Sequence, residues 1–167
     1  MTFKLTQDID VSGVENFTPI GGASKDNGEL SNIFNGSFDG QNHTISNLYI
    51  EYPHSSVGLF GVVNSASNTS PTIKNLTLDK ANISGNSDVG GLVGSNTGYT
   101  IENCHITNST VSGHYYDLKT IYPSVGGLVG YNYNSGTVKN CTASNNHVSG
   151  DSEISGLVGS NKGTIDG

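Results

Sequence analysis

The sequence has no tryptophan, one methionine and two cysteines in 167 residues. Two thiols cannot build a disulfide framework, so packing and hydrogen bonds must hold the chain together. Charge is scarce too: 13% of residues are charged, against ~25% in an average soluble domain. Only seven residues are Lys or Arg and the net charge is −7. That balance argues against a phosphate-backbone partner, so no nucleic acid is expected. No apolar run approaches the ~18 residues that span a bilayer, so no direct membrane insertion is expected. Helix-building Ala, Glu, Lys and Leu are too few for a helical bundle. What the chain has instead is Gly, Ser, Asn and Thr, 80 residues of 167, with an apolar set that is mostly Val, Ile and Leu. β-Branched residues clustered between glycines and asparagines describe short strands and tight corners, not a disordered polar tract.

The apolar clusters repeat. Val89-Gly90-Gly91-Leu92-Val93-Gly94 returns as Val125-Gly126-Gly127-Leu128-Val129-Gly130 and as Ile154-Ser155-Gly156-Leu157-Val158-Gly159. A shorter copy, Val57-Gly58-Leu59-Phe60-Gly61, precedes them. A second element reads Ile73-Lys74-Asn75-Leu76, Ile101-Glu102-Asn103-Cys104 and Val138-Lys139-Asn140-Cys141. Ile45-Ser46-Asn47-Leu48 reads as its preceding copy, and Thr164-Ile165-Asp166 begins another. A third element is Asn82-Ile83-Ser84-Gly85, Thr110-Val111-Ser112-Gly113 and His147-Val148-Ser149-Gly150. Ile45 to Ile73 and Ile73 to Ile101 are 28 residues each; Ile101 to Val138 is 37, the excess falling mainly in Tyr115 to Pro123.

Runs of three to six residues cannot bury a core alone. Stacked at ~4.8 Å they pair as parallel ladders and bury continuous apolar columns. The expected fold is therefore all-β, a parallel β-solenoid with three short strands per coil of about 28 residues, roughly 20–25 Å long. Leu59, Leu92, Leu128 and Leu157 should form a buried column, with Gly61, Gly94, Gly130 and Gly159 beside it, at positions of positive φ or close backbone approach. Asn47, Asn75, Asn103 and Asn140 should occupy one bend and hydrogen-bond along the stack. Cys104 and Cys141 replace Leu48 and Leu76 as core filler, reduced and stacked one above the other. The organisation expected is one continuous domain: opening coil(s) over residues 1–50, repeat coils over 51–167, and a Tyr-rich insertion at 115–123.

The Gly-Leu-Val-Gly repeats resemble the GLUG motif of large bacterial and some archaeal surface proteins, among them adhesins and the non-catalytic regions of immunoglobulin-A-specific metallopeptidases. Leu5 to Val11, Phe17 to Gly21 and Phe34 to Gly40 resemble the segments that precede the first repeat in that family. The resemblance implies a non-enzymatic structural or adhesive module at the cell surface, contacting a protein or glycan, and it specifies fold better than function. No apolar leader follows Met1, so no signal peptide is visible; with the unfinished last coil this suggests a segment of a larger protein.

Chemistry is sparse. No histidine is followed by Glu, so the His-Glu-x-x-His of a metallopeptidase is absent. His105 adjoins Cys104, but neighbours on a strand project to opposite faces, so no thiol catalyst is expected. Asp8 with Asp10, and Asp26 with Glu29, read as solvated acids or a weak Ca²⁺ contact rather than a glycosidase pair. Neither metal nor cofactor is expected. Eight Asn-x-Ser/Thr sequons are what this composition generates. The outward position Thr77, His105, Thr142 is too broken for an ice-binding ladder. What remains is aromatic: Tyr115, Tyr116 and Tyr122 in the insertion, and Tyr131 and Tyr133 one corner later, are the candidate ligand contacts. The insertion can equally fold back to cover an apolar face. The function expected first is structural and adhesive; the alternatives are a fibre subunit stacking end to end on copies of itself, and a carbohydrate-active β-helix.

Overall fold

A computed structural model describes residues 1–22, 33–65, 71–114 and 123–167. Among the described residues every regular element is a strand, and every strand pairing is parallel. The first full coil runs through Ser37–Ser46, Tyr49–Glu51, Ser55–Val57 and Phe60–Asn64. The second is Thr72–Asp79, Asn82–Gly85, Ser87–Gly90 and Val93–Thr97; the third is Thr100–Thr107, Thr110–Gly113, Val125–Gly126 and Val129–Asn132. The fourth comprises Thr137–Lys139 with Thr142–Ser144, then His147–Gly150, Ile154–Ser155 and Val158–Asn161; Thr164–Asp166 opens a fifth. Thr2–Lys4 and Ile9–Asp10 pair with Ser37–Ser46 from the N-terminal side. We number the four sheets 1 to 4 in the order a coil visits them. The three sequence runs yield four sheets because the Val-Gly-Gly-Leu-Val-Gly run turns at its central Gly-Leu step, giving sheet 3 before the step and sheet 4 after it.

The columns are continuous. Leu59 donates to Gly91, Leu92 to Leu128 and Leu128 to Leu157, all through backbone N–H to carbonyl, at 2.9–3.2 Å. Leu59, Leu92 and Leu128 are buried, whereas Leu157, on the last coil, is partly covered. Ile101, Cys104 and Ile106 point inward and are fully buried, while Glu102 and His105 face out. Each fully buried Leu or Ile side chain contributes roughly 1.5–3 kcal/mol.

Two corners in each coil are left-handed. Asn75, Asn103 and Asn140 have φ of 56°, 50° and 50°; five residues on, Lys80, Asn108 and Asn145 have φ of 54°, 52° and 54°. Asn tolerates this conformation better than other residues with a Cβ. The expected Asn ladder forms where Asn103 Nδ2 donates to Asn75 Oδ1 at 3.3 Å, and Asn75 Nδ2 to Asp39 Oδ1 at 3.0 Å. Asn47 is a correction. Ile45 pairs with Leu78 and Ser46 with Asp79, so Asn47 (φ 61°) stands at the second corner, aligned with Lys80. Leu48 accordingly sits in the column of Ala81, not of Leu76. The 28-residue interval from Ile45 to Ile73 is a coincidence of two Asn corners per coil: the residue paired with Ile73 is Phe38, 35 positions back.

For the motif glycines, the second of the two expected reasons, close backbone approach, is the one that holds. Gly61, Gly94, Gly130 and Gly159 do not have positive φ; a Cβ there would strike backbone. On Gly94 it would meet Ser56 and Val57, on Gly130 it would meet Asp88, and on Gly159 it would meet Val125 and Gly130. Close approach of sheet 4 to sheet 3 of the preceding coil is what excludes a side chain.

Outside sheet 1, hydrophilic columns reinforce the register. Lys4, Asp39, Lys74, Glu102, Lys139 and Asp166 align on successive rungs with strictly alternating sign. Lys74 lies 3.9 Å from Asp39 and Lys139 3.6 Å from Glu102. Such exposed pairs are worth little singly, but slipping one rung would set like charges side by side. Truncating Leu128 leaves a cavity with coils on both sides, so Leu128→Ala should cost about 2–5 kcal/mol in chemical denaturation. A loss below half a kcal/mol would contradict this stacking.

Candidate functional site

The outer faces of sheets 3 and 4 enclose a groove of about 620 Å³. Equivalent positions of successive coils line it. From sheet 3 come Ser56, Asp88, Ser124 and Glu153; the first three each precede a Val that enters the core, whereas Ile154, after Glu153 on the last coil, is exposed. From sheet 4 come Val62, Ser95, Tyr131 and Ser160. Two residues further on, Asn64, Thr97, Tyr133 and Lys162 form the rim. Strand alternation explains the pattern: in Gly94-Ser95-Asn96-Thr97, Ser95 and Thr97 face the groove while Asn96 turns inward.

That inward asparagine pins the wall. Asn96 and Asn132 are fully buried. Asn96 Nδ2 donates to Asn132 Oδ1 at 2.9 Å, and Asn132 Nδ2 to Asn161 Oδ1 at 2.8 Å. Asn96 also clamps its own corner, donating to the Tyr99 carbonyl and accepting from the Tyr99 N–H, both at 3.1 Å. A buried amide satisfied on both ends is costly to remove, because its partners are left without bonds. The first coil carries Val63 at this position, capped by an aromatic cluster in which the Phe34 and Phe60 rings are 5.0 Å apart.

The floor is a chain of hydroxyls and carboxylates. Ser56 Oγ and Ser95 Oγ are 2.9 Å apart, Ser95 Oγ donates to Asp88 Oδ2 at 3.3 Å, and Ser124 Oγ donates to Glu153 Oε2 at 2.9 Å. Burial pushes the Asp88 carboxyl up to about 6; bonds from Ser95 and Ser87 oppose the shift, and the Glu153 charge adds to it. Asp88 and Glu153 are two rungs apart, ~10 Å along the axis. The Tyr131 and Tyr133 rings stack with centroids 4.1 Å apart and planes inclined by 34°. Lys162 Nζ lies 5.7 Å from the Tyr131 centroid. Burial raises the Tyr133 hydroxyl's pKa, with Asp88 contributing, although 41% of the residue remains exposed.

Of the tyrosines singled out in the sequence, Tyr131 and Tyr133 are thus brought together at the groove. Tyr115, Tyr116 and Tyr122 lie outside the described residues, as do Asp26 and Glu29. Asp8 and Asp10 sit elsewhere, tied into the stack: Asp8 Oδ1 is 3.1 Å from His43 Nδ1 and accepts from the Thr44 N–H, and Asp10 accepts from Asn47 Nδ2. Cys104 and Cys141 are free and buried, and Cys104 N–H points to Cys141 Sγ at 3.5 Å. The Cys141 sulfur and burial together push the Cys104 thiol's pKa well up, which favours the protonated thiol over the nucleophilic thiolate. Sequence reasoning missed Asp88, Glu153, the serine column and the inner asparagines. The signal for the asparagines was present in Gly94-Ser95-Asn96, Gly130-Tyr131-Asn132 and Gly159-Ser160-Asn161. It also missed an outward hydroxyl column of Thr2, Ser37, Thr72, Thr100, Thr137 and Thr164 on sheet 1.

Comparison with known proteins agrees with the repeat. The GLUG motif matches residues 85–114 and 122–149. Halomucin of Haloquadratum walsbyi is 36% identical over an alignment of 138 residues that covers 77% of this chain and 1% of that protein. A solved structure from Bacteroides ovatus, described as a candidate immunoglobulin A1 protease, superposes over 95% of this chain and 53% of its own, with a TM-score of 0.58 and 17% identity. That likeness establishes the solenoid fold and nothing further.

The raised Asp88 pKa has a definite sign. Between its ordinary value of 3.8 and about 6 the folded state holds a proton that the unfolded state has lost, so this group lowers stability as pH rises through that window and is a constant cost above it. Asn accepts the φ of 50° at this position. Asp88→Asn should therefore stabilise the protein at pH 7 by about 1–3 kcal/mol and flatten its stability profile between about pH 4 and 6. An unchanged profile in urea titrations at several pH values would contradict the buried carboxylate.

Proposed function

We propose that this chain, which carries GLUG-motif repeats on a parallel β-solenoid, is a non-enzymatic structural module of an extracellular surface protein. It sets a fixed distance and turns its side faces toward a protein or glycan partner. The observation that carries the reading is the unbroken stack: four sheets continue through four coils, with a register shift between Asp39 and His43 in the first coil of sheet 1, and polar corner residues bond each coil to the next. A rod of this kind resists bending because every backbone bond of the ladders points along its axis. The surface assignment is supported by the likeness to halomucin, of which this chain spans only about 1%. A structural role is supported by the polar side chains themselves, which are committed to neighbouring rungs: His105 to Thr142 and Ser124 to Glu153.

Antibodies raised against the folded module should label intact source cells before any permeabilisation. Labelling that appears only after lysis would contradict a surface role.

A further inference from the structure

The groove between sheets 3 and 4 is the feature that a plain spacer does not need. It runs along the stack, crossing coils one to four, and its composition narrows what fits. An extended peptide binds a sheet by adding to its edge, through unpaired N–H and C=O groups. Here the ladders of sheets 3 and 4 bond along the axis to the next coil, so the groove offers no edge: Val89 N–H goes to Ser124, Val125 N–H to Glu153 and Leu128 N–H to Leu157. Recognition falls to side chains. These are hydroxyls, the Asn64 amide, two carboxylates against the single ammonium of Lys162, and a stacked tyrosine pair, a set that matches sugar hydroxyls and the apolar face of a sugar ring. Asp88 and Glu153 on the floor repel acidic sugars, in a chain whose net charge is already −7.

We propose that this groove binds a linear glycan of uncharged sugar units lying along the stack axis, with Tyr131 and Tyr133 as its stacking platform and Asp88 as a hydrogen-bond acceptor on its floor. The proposal rests on the reading that the side faces contact a partner and names that partner's chemistry. The platform sits on coil three and the acceptor on coil two, neighbouring rungs ~4.8 Å apart, so adjoining units of one chain can engage both while the remaining units follow the groove. Ser95 donates to Asp88 Oδ2 at 3.3 Å and Ser87 to Asp88 Oδ1 at 3.5 Å, which orients the carboxylate; each oxygen accepts from one serine and keeps a second lone pair for a ligand hydroxyl.

The test is calorimetric titration of the full chain with four uncharged hexamers (cellohexaose, laminarihexaose, chitohexaose and mannohexaose), with hexagalacturonate and with hexalysine. At least one uncharged hexamer should bind, hexagalacturonate should not, and Tyr133→Ala should weaken binding about tenfold or more, the scale of one lost ring stack. Tyr133 is exposed enough for that variant to keep its melting temperature, and Asp88→Asn, which fits its backbone, should weaken binding severalfold. The proposal is overturned if none of the four hexamers binds, if binding survives both substitutions, or if hexalysine alone binds, which would point to a cationic polypeptide. Release of shorter sugars during the titration would uphold the groove as a glycan site and overturn the non-enzymatic reading instead.

Discussion

Where sheet 4 passes sheet 3 of the coil before it, backbone lies against backbone with no side chain between. Gly94 meets Ser56 and Val57, Gly130 meets Asp88, and Gly159 meets Val125 in the same way. The rest of the coil is built around this contact. With no side chain to fill the corner, the intervening Leu turns inward and becomes the axial column. The outer side chains on either flank are drawn together, which brings Ser56 to Ser95 and Ser95 to Asp88. The groove is therefore a by-product of the repeat motif, and one copy of it is contributed by each coil.

The same geometry divides labour between residue types. Glycine serves close approach and asparagine serves the left-handed corners, with each asparagine side chain free to bond to the neighbouring rung. Three polar columns therefore run beside the apolar ones: the corner amides, the buried Asn96–Asn132–Asn161 line and the alternating charges outside sheet 1. The exposed charge pairs are weak singly and the buried amides are costly to break, and a strand sliding by one residue would disrupt all three columns together. Register is in this way fixed by polar groups, while burial of Val, Ile and Leu supplies most of the free energy.

Much of this was legible in the chain. Repeated Gly-Leu-Val-Gly and Ile-x-Asn segments specify stacked coils because no other arrangement buries so many short apolar runs. The first coil was misaligned for a physical reason: both corners of a coil favour Asn, so Asn47 matches either one by sequence, and only the pairing of Ile45 with Leu78 decides between them. The groove was half legible. Tyr131 and Tyr133 stand out as aromatics beside a glycine corner. Asp88 and Glu153 do not, because they occupy a position filled by Ser in the other coils and acquire their meaning only when columns from two sheets converge. The insertion's Tyr115, Tyr116 and Tyr122 fall outside the described residues.

The central claim is that close backbone packing, not backbone conformation, demands glycine in the motif. A paired measurement of unfolding free energy tests it. Neither Gly130 nor Gly156 has positive φ, but a Cβ on Gly130 strikes the Asp88 backbone, whereas one on Gly156, in the last coil, meets nothing within 4 Å. The account predicts that Gly130→Ala loses at least ~2 kcal/mol by overpacking, while Gly156→Ala stays within ~0.5 kcal/mol of the parent. Equal, small effects at the two positions would contradict it.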